Sequence, residues 1–172
     1  MVLIRKSVEA DLAAMLAIVN DAAQAYRGVI PADRWREPYM PADELAEEIA
    51  GGVVFWVAER EGRLLGVMGI QDKEAVALVR HAYVAPTLQR KGVGTRLLRH
   101  VEGLTDKPIL IGTWADASWA IEFYRRNGFS VVPDSDRLLQ TYWSIPARQI
   151  ETSIVLADRR WRETERRAPA DG

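Results

Sequence analysis

Apolar positions along this chain follow two rhythms, and the changes from one to the other mark out the elements. Val2 to Val8 reads as a short strand. From Glu9 the apolar spacing becomes three and four residues, at Leu12, Met15, Leu16, Val19, Ala23 and Tyr26. That is the period of an amphipathic helix, and Gly28 ends it. Val29 to Met40 holds two prolines together with Trp35 and Tyr39 and predicts a loop or broken helix. Pro41 suits the first position of a second helix carrying Leu45, Glu48 and Ile49, and Gly51-Gly52 stops it. Val53 to Glu59 is almost continuously apolar, as a strand buried on both faces must be. Glu61-Gly62 turns the chain, and Leu64 to Ile70 returns as the next strand. Ala75 to Val84 is a further strand bounded by Pro86, and a helix from about Gly92 to Glu102 is expected to bury Val93, Leu97, Val101 and Leu104. Pro108 to Gly112 predicts a buried strand, Ser118 to Asn127 a helix closed by Gly128, and Phe129 to Val132 a strand. Pro133 to Pro146 reads as a long connection. The alternation of Ile150, Thr152, Ile154 and Leu156 gives the last strand.

The order is β-α-α-β-β-β-α-β-α-β-β. An antiparallel meander flanked by helices is an α+β fold, a mixed α/β sandwich. One domain over residues 1–158 is expected, followed by an Arg- and Glu-rich tail over 159–172 that reads as frayed. The composition, 48% hydrophobic and 27% charged over 172 residues, suits a soluble globular domain with a sizeable core. No apolar run reaches the roughly 20 residues that cross a bilayer, and the N-terminus lacks the layout of a signal peptide, so a cytoplasmic protein with no membrane partner is expected. There is no cysteine, which excludes disulfides, thiolate metal sites and a cysteine nucleophile. With two histidines, His81 and His100, no metal site is expected.

Charge changes the picture at one place. The chain carries 23 basic and 24 acidic residues, a formal net charge of −1. Yet between Ala75 and Val101 there is no Asp or Glu, while Arg80, Arg90, Lys91, Arg96 and Arg99 all fall there. An all-basic stretch in a near-neutral protein points to a local anion site, not to nucleic acid. A solvated basic helix face is the plainer reading of the charges alone. Within the stretch, Gln89-Arg90-Lys91-Gly92-Val93-Gly94-Thr95 leads from a strand into a helix. A helix N-terminus offers unpaired N–H donors and the positive end of the helix dipole, and glycines let an oxygen-rich ligand approach the backbone. The pattern Gly-x-x-x-x-Gly-Lys-Ser/Thr is absent, and the third glycine and later acidic residue of dinucleotide sites are missing too.

Three motifs in this order resemble the GNAT superfamily of acyl-CoA-dependent N-acyltransferases. Gln89-Arg90-Lys91-Gly92-Val93-Gly94 matches the family's pyrophosphate loop, Gln/Arg-x-x-Gly-x-Gly/Ala. Ala82-Tyr83-Val84-Ala85-Pro86 matches the end of the preceding strand. Ala120-Ile121-Glu122-Phe123-Tyr124-Arg125-Arg126-Asn127-Gly128-Phe129 matches Ala-x-x-Phe-Tyr-x-x-x-Gly-Phe. The resemblance spans about Leu3 to Leu156. It departs at Ala117, where many members carry an Asn that contacts the cofactor arm; Ser118, next to it, is the candidate substitute.

The resemblance implies acetyl-CoA as cosubstrate and an N-acetyltransferase. Backbone groups of Ala82 and Val84 would bind the pantetheine arm and polarise the thioester carbonyl, and the N–H groups from Gln89 through Arg90, Lys91, Gly92, Val93 and Gly94 to Thr95 would hold the pyrophosphate. Tyr124 would be the general acid toward the departing thiolate, or a core residue that only anchors the cofactor. An amine acceptor is mostly protonated near neutral pH and needs a base. His81 is the candidate, with Glu37 and Glu74 as alternatives acting through water. Without cysteine, direct attack in a ternary complex is expected.

The acceptor pocket falls to the variable connections, which offer Tyr26, Trp35, Tyr39 and Tyr142. Such a lining suits the primary amine of a small, partly apolar molecule or a peptide. The same aromatics could instead pack a lid or a homodimer interface. A non-catalytic acyl-CoA sensor, and an O-acyl or longer-chain transferase, are the other functions this pattern allows.

Overall fold

The computed structural model describes residues 1–168. Its elements are β1 (Leu3–Lys6), α1 (Leu12–Ala23), α2 (Ala42–Ala50), β2 (Val53–Arg60), β3 (Arg63–Asp72), β4 (Ala77–Val84), α3 (Val93–Glu102), β5 (Ile109–Trp114), α4 (Ser118–Arg126), β6 (Ser130–Val131), α5 (Ser135–Tyr142), α6 (Ala147–Glu151), β7 (Ser153–Ala157) and α7 (Arg159–Arg167). The seven strands take the order β1-β2-β3-β4-β5-β7-β6. The pairs β1–β2, β2–β3, β5–β7 and β6–β7 are antiparallel. This is the mixed α/β architecture that the apolar rhythm predicts, with a mostly antiparallel sheet and flanking helices.

The chain forms two compact units, one of 1–72 with 79–106 and one of 73–78 with the chain from Lys107 onward. In the first unit, α1 and α2 lay Met15, Ile18, Val19 and Leu45 on Phe55 and Val57 of β2 and Val67 of β3. Phe55 and Met15 are fully buried. Burying side chains of this size stabilises by about 1.5–3 kcal/mol each. On β3, a methyl group at Gly66 would stand 3.1 Å from Leu97 and 3.3 Å from Val93, so a bare backbone there lets α3 seat closely on the strand. The N-terminus of α3 is placed by that contact. Val93, Leu97 and Val101 are buried as the spacing predicts, but Leu104 lies past the helix end and is 44% exposed. The first and second helices are joined by an irregular segment clasped at its far end: Asn20 donates to the Met40 carbonyl at 3.0 Å and accepts from the Met40 N–H at 2.8 Å.

In the second unit, Val76, Leu78, Leu110, Val132, Leu138, Leu139 and Val155 form the core. Ser135 ties it together, donating to the Val132 carbonyl at 2.8 Å and accepting from the Val155 N–H at 2.9 Å. Gly128 closes α4 in the left-handed conformation, with Phe129 N–H on the Tyr124 carbonyl at 3.0 Å. Three local readings change. The long connection from Pro133 to Pro146 folds into α5, because Leu138 and Leu139 have a core to enter, and α6 follows it with Ile150 packed on the same core. Ile150 therefore ends a short helix and does not begin the last strand. The charged stretch read as frayed is helical over Arg159–Arg167: Asp158 caps it by accepting from the Trp161 N–H at 3.3 Å, and Trp161 packs on the core. The end of the tail, 169–172, lies outside the described residues. Among the described residues no helix is long and apolar enough to cross a membrane.

Candidate active site

The first unit carries the anion-loop candidate. The chain leaves β4 at Val84, makes a short 3-10 turn over Pro86–Leu88 and enters α3 after Gly92. Arg90 sits at φ +63° and Gly92 at φ +83°. Two left-handed residues separated by one fold the backbone back so that α3 can start abruptly, and only the second is a glycine. The helix ladder opens with the Arg96 N–H on the Gly92 carbonyl at 3.0 Å. The N–H groups of Val93, Gly94 and Thr95 therefore precede the ladder, as an anion cradle requires.

The basic stretch is not one uniform patch. Arg80 is drawn to Glu48 and Gln71, Arg96 donates to the Val2 carbonyl at 3.1 Å, and Arg99 pairs with Glu102 at 2.8 Å. Arg90 and Lys91 stay exposed at the loop beside exposed Gln89. The charge available to an anion is thus concentrated at the cradle.

On β4, Ala82 and Val84 are half-buried, and His81 just before them has φ +53°. A left-handed non-glycine residue inside a strand re-aims its side chain. The His81 ring lies 6.0 Å from the ring of Phe55 and its Nε2 is 3.1 Å from Glu48 Oε2. Two residues on, Tyr83 is the centre of an aromatic group: it meets Tyr26 edge-on at 6.5 Å and Tyr39 edge-on at 6.3 Å, and Tyr39 stacks on Trp35 at 5.9 Å. Arg27 lies over the Trp35 ring at 5.5 Å and pairs with Glu37, which also accepts from the Trp35 indole at 3.2 Å. Glu37 is thereby committed to the aromatic segment. Three of the four expected acceptor residues, Tyr26, Trp35 and Tyr39, thus come together. The fourth, Tyr142, belongs to the second unit, where it packs on that unit's core.

The second unit also holds Tyr124, Ser118 and Glu74. Tyr124 is buried on α4, with Phe123 at 5.1 Å and Phe129 at 6.0 Å, both edge-on. Ser118 is the exposed first residue of α4. Ala117 before it is fully buried. Glu74 stands in the turn before β4 at φ +62°. Among the described residues no group of three or more His, Cys, Asp or Glu is placed to hold a metal ion.

Sequence reasoning missed Tyr83 and Glu48. Tyr83 shares the rhythm of His81, two residues earlier, which was the available signal. Glu48 falls three residues after buried Leu45, on the inner face of α2, while Ile49 is 40% exposed. A carboxylate that takes the place of an apolar side chain on a helix's inner face was the signal there.

Residues 51–131 match the Acetyltransferase (GNAT) domain family. The peptidyl-lysine N-acetyltransferase YiaC of Escherichia coli (strain K12) is 26% identical over 130 residues, which cover 76% of this chain and 84% of that protein. The PaiA N-acetyltransferase of Thermoplasma acidophilum, solved in complex with coenzyme A, superposes with a TM-score of 0.71 at 20% identity over 92% of this chain and 98% of that one. The ribosomal-protein-S18-alanine N-acetyltransferase of Escherichia coli does so with a TM-score of 0.65 at 18% identity over 92% and 93%. Residues 51–131 carry the match to that domain family, the loop, strand and helix motifs stand in their expected places, and the fold is the one these acetyltransferases share.

Proposed function

We propose that this enzyme transfers the acetyl group of acetyl-CoA to a primary amine by direct attack in a ternary complex. The observation that carries the reading is the opening of α3: three N–H groups ahead of the helix ladder, a left-handed Arg90 and Gly92, and the exposed Arg90–Lys91 pair. That set of donors fits a pyrophosphate, which needs several N–H contacts and a positive potential and no side-chain ligand of fixed geometry. The thioester it would deliver supplies the activated acetyl group. Backbone groups of Ala82 and Val84 hold the pantetheine arm, and Ser118 is assigned to the same cosubstrate. His81 removes a proton from the acceptor ammonium, and the Tyr124 hydroxyl hydrogen-bonds or protonates the departing thiolate.

The acceptor meets Tyr26, Trp35, Tyr39 and Tyr83. Aromatic faces attract an ammonium and cover an apolar stem, so the lining suits an amine on a partly apolar chain, whether a small molecule or a lysine side chain in a peptide. The peptidyl-lysine activity of the Escherichia coli relative supports including the peptide.

Thiol release from acetyl-CoA across a panel of arylalkylamines, amino acids and lysine-containing peptides tests the reading. Release matched by N-acetylated product is expected with at least one of them. Binding of acetyl-CoA with no turnover on any would point to a sensor, and absence of binding would overturn the proposal. Tyr124→Phe is expected to lower kcat by about 10²-fold with the Kd for acetyl-CoA unchanged, since general acids contribute on that order. A wild-type kcat in this variant removes the acid role.

A further inference from the structure

His81 stands at one end of a chain of polar side chains. Its side chain is 16% exposed and its Nε2 is buried, 3.1 Å from Glu48 Oε2 though not aligned for a linear hydrogen bond. The same carboxylate lies 3.2 Å from the guanidinium of Arg80, the preceding residue. Arg80 in turn donates to Gln71 Oε1 at 3.1 Å, and Gln71 donates to the Gly51 carbonyl at the end of α2 at 3.0 Å. This chain runs from α2 to β3 to β4 and back to α2, so it fixes where Glu48 stands. The backbone at His81, φ +53°, is a conformation that side chains other than glycine rarely take and that persists only where the surroundings demand it.

We propose that Glu48 is a positioning residue for His81, holding the imidazole by Nε2–H so that Nδ1 is the nitrogen that takes the acceptor's proton. The proposal rests on the reading of His81 as base. Arg80 beside Glu48 favours the carboxylate form, and an anion facing Nε2 favours a proton on that nitrogen. A neutral imidazole carries one N–H, so Nδ1 keeps its lone pair. The groups that meet the ring from the packed elements are Glu48 from α2, Arg80 from its own strand and Phe55 from β2, with Gln71 of β3 behind Arg80; only the first two carry charge. In the reaction, one proton of the acceptor ammonium passes to Nδ1. The freed amine pair forms the C–N bond as the C–S bond breaks with its electrons leaving on sulfur. The second proton, lost as the amide forms, goes to the thiolate, and the imidazolium returns its proton to solvent. The balance is ammonium plus acetyl-CoA giving amide, CoA thiol and one proton. Glu48 stabilises the imidazolium in between without itself changing protonation.

Two measurements test this. The first needs no variant at a site residue. In ¹⁵N-histidine-labelled protein there are two imidazoles, and His100, whose ring lies 4.4 Å from that of Trp56, is assigned by His100→Gln. Neutral His81 is expected as the Nε2–H tautomer; an Nδ1–H tautomer overturns the proposal. The second is a kinetic cycle with the fastest amine of the panel above. Glu48→Gln is expected to lower kcat at least tenfold with acetyl-CoA affinity and melting temperature near wild type, and to add nothing to a His81→Gln background. A Glu48→Gln loss of equal size in both backgrounds, or a wild-type kcat in Glu48→Gln while His81→Gln is slow, overturns the role of Glu48 alone. A wild-type kcat in His81→Gln overturns the base reading beneath it.

Discussion

Gly69 shows how far one missing side chain shapes the β4 end of the site. A methyl group there would stand 2.7 Å from Val53 Cγ1, 2.9 Å from the Arg80 carbonyl and 3.1 Å from Phe55. None of these can yield cheaply: Val53 and Phe55 are buried, and the carbonyl belongs to the strand that carries His81. Gly69→Ala is therefore expected to cost about 1–3 kcal/mol, as overpacking of a filled core does. For a chain of this size that is a fall of roughly 2–10 °C in melting temperature. Because the strain falls on the Arg80–His81 backbone, turnover should drop more than acetyl-CoA binding. A thermal melt and a comparison of kcat with Kd check both parts, and a variant as stable as wild type refutes the packing argument. Residues were legible in the sequence where a local motif names them, as with Gly92 or Tyr124. Glu48 and Tyr83 were not, because what marks them is a neighbour distant in sequence: Arg80 and His81 for one, Tyr26 and Tyr39 for the other.

At the scale of elements, the opening of α3 separates backbone cost from crowding. Nothing lies within 4 Å of where a Cβ on Gly92 would sit, yet its φ is +83°. Gly92→Ala then meets only the left-handed penalty, about 1–2 kcal/mol. The turn can relieve that penalty by opening, which dissolves the cradle while leaving the buried face of α3 in place. We expect acetyl-CoA to bind roughly tenfold more weakly, with a small change in melting temperature. Arg90→Ala with Lys91→Ala should weaken binding less at high salt than at low salt, since both charges are exposed and screened. Titration calorimetry at two ionic strengths reads both effects, and salt-independent losses would argue against an electrostatic role. The strands and the first four helices follow from apolar rhythm alone. The helices α5, α6 and α7 did not, because α5 takes a connection bounded by prolines, α6 falls where the alternation of Ile150 and Thr152 reads as strand, and α7 is almost wholly charged. They are held by Leu138, Leu139, Ile150 and Trp161 packing on a core shared with other strands.

At the scale of the molecule, acid stability has an identifiable contributor. Arg5 of β1 donates to both oxygens of Asp11, at 2.7 and 2.9 Å, and to Glu59 of β2 at 2.7 Å, and the Val8 N–H adds a bond of 2.8 Å to Asp11. The Arg5 hydrogen bonds are the main reason the Asp11 carboxyl is held below its ordinary value. A carboxyl that is more acidic folded than unfolded contributes stability above its unfolded pKa, about 3.9, and loses it as pH falls through the folded value. Asp11→Asn should thus cost about 1–3 kcal/mol at pH 7, and the gap from wild type should close below about pH 4. Urea unfolding at pH 7 and pH 3 measures it; an equal gap at both would rule out the ionised form as the cause. Taken alone, the sequence determined the strands, the first four helices and the glycine motif at the start of α3, because each depends on residues within a few positions of one another. Only the tertiary structure decided that Glu48 faces His81, that Tyr83 gathers Tyr26 and Tyr39, and that Arg80 is spent on Glu48 while Arg90 and Lys91 stay at the loop. Those are contacts across tens of residues, made when helices close over a sheet, and no local pattern encodes which side chains will then meet.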